Sequence, residues 1–160
     1  MHVEIIPTLI QQLRETMEGD VGSSWITDGK SDSGVLALIE TLLPAEAVRA
    51  PADGRRSVAE HVAHLHFALA LTKLRMQGQD PRADWGSSFN LTDATPAGWK
   101  KLKLDLRQAY EEVLAVVNEQ AKVPLAHWPP IYVVGLAAMT AHNAYHLGAI
   151  KQIAQFVKTE

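Results

Sequence analysis

At 160 residues, with 47% hydrophobic and 21% charged residues and no cysteine, the chain reads as one globular domain spanning 1–160. Disulfides, thiolate ligands and a thiol nucleophile are excluded. The formal net charge is −3, and the basic residues are scattered apart from pairs such as Arg55-Arg56 and Lys100-Lys101, which leaves no phosphate-binding stripe and makes nucleic acid an unexpected partner.

Ile6, Leu9, Ile10, Leu13 and Met17 recur at helical spacing up to Gly19 and predict a first long helix. Residues 19–34 are rich in Gly, Ser and Asp around Trp25 and read as a loop whose aromatic ring packs back on the fold. A short extra helix is expected from Val35 to about Leu43, closed by Pro44.

Ser57 and Glu60 are spaced so that each side chain can satisfy the other's backbone N–H at a helix start. The second long helix then runs to about Gln77, with Val58, Val62, Leu65, Leu69 and Met76 as its apolar stripe. Residues 78–95 form a long connection carrying Trp85 and Phe89, which could anchor the loop or wall a pocket as a lid.

Thr95 as N-cap and Pro96 at the first helical position open the third long helix, whose core face holds Trp99, Leu102, Leu106, Ala109, Val113 and Val116. Pro129-Pro130 opens the fourth, which continues to about Val157. Period-two alternation occurs nowhere, so the expectation is all-α, a four-helix bundle with one short additional helix.

The longest strongly apolar run, Ile131 to Met139, is too short to cross a bilayer, and Met1-His2-Val3-Glu4 does not open a signal peptide. A cytoplasmic protein without a membrane partner is expected.

Seven histidines are present. His2, at a terminus, and His127, in a Pro-flanked loop, read as surface residues. On the fourth helix Gly135, Met139, His142, His146, Ala149, Ile153 and Val157 share one stripe, so two imidazoles one turn apart point inward. Burying a ring without a partner costs on the order of 1–3 kcal/mol, and a metal would serve both rings at once. Core histidines satisfied by Ser, Thr or carboxylate partners are the alternative.

The second helix adds His61 and His64 on one face, while His66 points toward solvent. His61 lies nearer the centre of the apolar stripe than His64, so periodicity alone does not choose between them. Glu60 reads as a cap only, and Asn143 and Tyr145 face sideways between the fourth-helix histidines, toward a neighbouring helix or subunit.

The segment Ser57-Val58-Ala59-Glu60-His61-Val62-Ala63-His64-Leu65, together with His142-Asn143-Ala144-Tyr145-His146-Leu147-Gly148-Ala149-Ile150, resembles the two signature segments of the DinB/YfiT-like superfamily. The resemblance extends to helix order, to Trp99 and to chain length. It implies a metal-binding four-helix bundle with His64, His142 and His146 as the three ligands. It also implies either thiol transferases that use bacillithiol or mycothiol, or metal-dependent hydrolases and isomerases, often as homodimers. Phe67, Leu71 and Leu74, apolar and off the core stripe, hint at such pairing. His61 and His66 flank the expected ligand and depart from the pattern.

Three neutral imidazoles would suit zinc, nickel, iron or manganese and leave a coordination position open. An open position lets the ion lower the pKa of a water or thiol. With no cysteine in the chain, an external low-molecular-weight thiol acting on a small-molecule electrophile is the first expectation. A hydrolase, or a non-catalytic stress-response or binding module with a structural or vestigial metal site, is the alternative. No catalytic residue beyond the metal site is identified.

Overall fold

The computed structural model describes residues 5–22 and 24–158; His2 lies outside them. The elements in chain order are α1 (Ile5–Glu18), α2 (Val35–Glu40), α3 (Pro44–Val48), α4 (Val58–Met76), α5 (Pro96–Gln120), a 3₁₀ turn (Leu125–His127) and α6 (Pro130–Lys158). No strand occurs among the described residues.

The long helices start and stop where their residues say. Gly19, at φ 99°, ends α1 in a conformation that side-chain-bearing residues rarely adopt. Ser57 Oγ accepts from Glu60 N at 3.3 Å while the Glu60 carboxylate accepts from Ser57 N at 2.7 Å, closing the capping box of α4. Thr95 Oγ1 caps α5 by accepting from Gly98 N at 3.1 Å.

The four long helices form the bundle, with α4 packed on α5 and on α6, and α1 packed on α6. Leu13, Met17, Val58, Val62, Leu65, Leu69, Leu106, Val113 and Ile150 are fully buried between them. Tyr110 and Val117 of α5 join this core, the next positions on from the predicted Ala109 and Val116. No described helix is long and apolar enough to cross a membrane.

Three expectations need correction. Pro44 does not close α2, which stops at Glu40; it occupies the first turn of α3, where its missing N–H costs nothing and the Glu46 carboxylate accepts from Leu43 N at 2.7 Å. Trp25 is 83% exposed rather than packed on the bundle. Its loop is held instead by backbone groups, because the buried Glu15 carboxylate accepts from Trp25 N, Ile26 N and Thr27 N at 3.2, 2.7 and 2.7 Å and from the Thr27 hydroxyl at 3.0 Å. Finally, the buried stripe of α6 keeps Met139, His146 and Val157 of the predicted set but is centred further round the helix, through Leu136, Thr140, Asn143, Leu147, Ile150 and Ala154, so that Gly135, His142, Ala149 and Ile153 sit half-buried at its edge.

That rotation positions the site. The helix packs on both α1 and α4, and its histidines fall on the side toward α4.

Candidate metal centre

His61 and His64 stand on α4 about one and two turns from its capped start, and His142 and His146 stand one turn apart on α6. The bundle brings the rings of His64, His142 and His146 together, one ligand nitrogen from each lying within 4.8 Å of the others. His64 Nε2 is 2.9 Å from His142 Nε2, and His146 Nε2 is 3.1 Å from the same atom. Three imidazole nitrogens thus face one point.

What holds each ring is legible at its other nitrogen. Ser88 Oγ donates its single hydrogen to the Trp85 carbonyl at 2.7 Å, so toward His64 it can only accept, and His64 Nδ1, 2.7 Å away, must be the donor. The proton on Nδ1 leaves the lone pair of His64 on Nε2, facing the cluster. His146 Nδ1 lies 2.8 Å from His61 Nδ1, so an imidazole rather than a carboxylate orients that ring. His142 differs, since its Nδ1 is buried without a hydrogen-bond partner.

Burial keeps the cluster neutral. It pushes His64 down to about 4 and His146 to about 3, helped by repulsion from the neighbouring imidazoles, and it lowers His61 and His142 as well. Neutral imidazole is the ligand form, and lone pairs crowded on one point repel each other unless a cation lies among them. The donor set therefore fits a divalent ion, with all-nitrogen ligands that do not choose among zinc, nickel, iron and manganese.

The connection between α4 and α5 is built onto this cluster. Phe89 stacks on the His64 ring at a centroid distance of 4.0 Å and an interplanar angle of 6°, with the Arg56 guanidinium 4.8 Å above its ring centroid. Trp85 lies 5.8 Å from His64 and 5.3 Å from Phe67. Trp85 and His142 also line a cavity of about 840 Å³ between α4 and α6. Phe89 thus anchors the loop on His64, and Trp85 both anchors it and walls the cavity beside the cluster.

The remaining residues singled out from the sequence fall as follows. His61 supports His146 and does not enter the cluster of three. His66 is half-buried rather than turned to solvent. Burial lowers its pKa, and Asp105, Lys101 and Glu112 of α5 are the charges that reach it. Glu60 caps α4 and pairs with Arg56 at 2.8 Å, and His127 is exposed. Tyr145 is exposed against the edge of His146, whereas Asn143 is not turned sideways but wholly buried, with neither amide atom hydrogen-bonded. Ser88 went unremarked in the sequence: a serine in an irregular loop carries no periodic signal, and its partner lies 24 residues away.

No curated protein and no solved structure matches the chain. The family model of the DinB superfamily matches residues 31–150, a span that includes both histidine-bearing segments and the loop between α4 and α5. With most of its length matched and a three-histidine cluster able to hold a divalent metal, the chain belongs to the DinB superfamily.

Proposed function

We propose that the protein is a metal-dependent enzyme in which His64, His142 and His146 are the ligands, and that its reaction is transfer of an external low-molecular-weight thiol. One observation carries this reading: the three converging nitrogens come with no fourth protein ligand among the described residues, and His142 opens onto the apolar cavity. A divalent ion held there would act as a Lewis acid, acidifying a thiol or water that meets its open side.

The chain's own residues supply the rest. Ser88 and His61 aim two of the rings, and Trp85 and Phe89 shield the cluster on the loop side. The absence of cysteine makes an external sulfur necessary. In the reaction the thiol gives up its proton, its sulfur forms a bond to an electrophilic carbon, and the leaving group departs with the bonding pair and takes a proton.

Elemental analysis of natively purified protein beside His142→Ala tests the metal; we expect near-stoichiometric metal in the first and almost none in the second. Conjugation of cellular thiols to a panel of electrophiles tests the chemistry. Turnover without added thiol would replace this reading with the hydrolase, and no turnover in metal-loaded protein would leave a binding module. Of the three residues that hint at the homodimer implied by family likeness, Leu71 is buried within the chain, Phe67 packs on Trp85 and Leu74 is half-buried. Light scattering measures the pairing.

A further inference from the structure

The cavity beside the cluster has a regular construction. On α4, His64, Ala68, Leu71 and Arg75 fall on one stripe, and on α6, His142, Ala138, Gly135 and Ile131 fall on another with the same spacing read backwards. All but His64 line the cavity, and His64 touches His142 at its end. The two helices run antiparallel here, so the stripes face each other. Ala68, Ala138 and Gly135 leave room where larger side chains would close the groove. The space exists because small residues oppose one another along it.

From His64 to Arg75 the stripe extends about 16 Å, at a rise of about 1.5 Å per residue. The histidines mark one end. Arg75, exposed in the last turn of α4, marks the other and is the one cationic residue of the lining. No ion pair to a described carboxylate is formed by Arg75. Asp80, which also lines the mouth, lies beyond the helix end in the irregular segment after Gly78. Ile131 and Trp85, both lining residues, remain 68% and 46% exposed, apolar surface that an occupant would cover.

We infer that this cavity binds an organic anion with an extended apolar body. The acid group meets Arg75 at the mouth, the body lies between the Ala68 and Ala138 sides, and the far end reaches the histidine cluster. The assignment deepens the enzyme reading above by naming the substrate class, and it rests on that reading only for what happens at the histidine end.

The test compares three probes sharing one decyl chain: decanesulfonate, decanol and decyltrimethylammonium. Binding is followed by calorimetry and Trp fluorescence on the purified protein and again after chelator treatment, with metal content measured on every sample. Decanesulfonate should bind at least about tenfold more tightly than decanol, as expected for one charge-assisted hydrogen bond, and Arg75→Gln should erase that preference. Gly135→Leu should abolish binding of all three while leaving metal content unchanged. A Cβ at Gly135 meets nothing within 4 Å, and leucine favours helix, so the variant should fold. Should it not, Ala138→Leu fills the same groove.

Equal affinity for the three head groups, preference for the cation, wild-type binding in the filled variants, or no binding at all would each overturn the assignment. Because metal content is measured on every sample, anion binding by natively purified protein that carries no metal would sink the metal reading alone. Metal without anion binding would sink this one alone.

Discussion

Two long loops in this molecule are each held by one buried side chain from a neighbouring helix, and they are held to different ends. Glu15 of α1 anchors residues 25–27 through three backbone N–H groups and a hydroxyl. These four donors come from the loop it organises. His64 of α4 anchors residues 85–89 through Ser88 and the stacked Phe89 ring, yet keeps its second nitrogen turned toward two other imidazoles. An anchor whose capacity is taken up by its own loop is structural. An anchor that reserves a lone pair for a shared point is part of a site.

The largest effect should come from the first anchor. Glu15→Ala strands several buried donors and should destabilise the fold by about 3–5 kcal/mol, measured by denaturant unfolding, with metal content per folded molecule unchanged. Burial alone would raise the Glu15 pKa, but the hydrogen bonds from Thr27, Ile26 and Trp25 outweigh it and lower it. As pH falls, the unfolded chain therefore takes up this proton first. The stabilisation is complete above the ordinary Glu value of about 4.3 and is lost as pH falls through the lower folded value. A Tm-against-pH profile should show that loss in the wild type and not in Glu15→Gln. Equal profiles would mean that Glu15 is not the loop's anchor.

The second anchor should behave in the opposite way. Ser88→Ala removes the acceptor that fixes the His64 tautomer, and His61→Ala removes the partner of His146 Nδ1. Each should weaken metal binding about 10–100-fold, read by competition with a chromophoric chelator, with a small change in Tm. His66→Ala, on the far side of α4, should leave affinity unchanged. If Ser88→Ala instead costs stability and spares affinity, the two loops are alike and the contrast fails.

The contrast also shows what the chain could disclose before folding. The bundle, the caps at Ser57 and Thr95 and the apolar stripe of α4 are local in sequence, and the structure has them where residue periodicity puts them. His142 and His146 were legible as a pair one turn apart. The α6 stripe came out rotated because periodicity weighs residues by polarity, and it treats Thr140 and Asn143 as outward when the packed bundle buries both. Periodicity left His61 and His64 undecided, and the family resemblance alone favoured His64; which of them joins the two α6 rings in one cluster is a tertiary fact. Glu15 and Ser88, which tie the two loops down, were illegible for a related reason: Glu15 reads as a surface charge and Ser88 as loop polarity until the chain returns to enclose them.

Asn143 supplies the smallest and sharpest test. Its amide is fully enclosed between His142 and His146 in the sequence, and neither amide atom is hydrogen-bonded. A buried amide without partners costs on the order of 1–3 kcal/mol, whereas a leucine of similar shape in that place costs none of it. Asn143→Leu should therefore stabilise the fold by about 1 kcal/mol, after some loss to imperfect packing, with metal affinity unchanged. Thermal unfolding and metal competition on the same sample read both quantities. Should affinity fall instead, the amide belongs with Ser88 and His61 among the residues that aim the rings, and its lack of partners is the mark of a group kept for the site rather than a defect of the core.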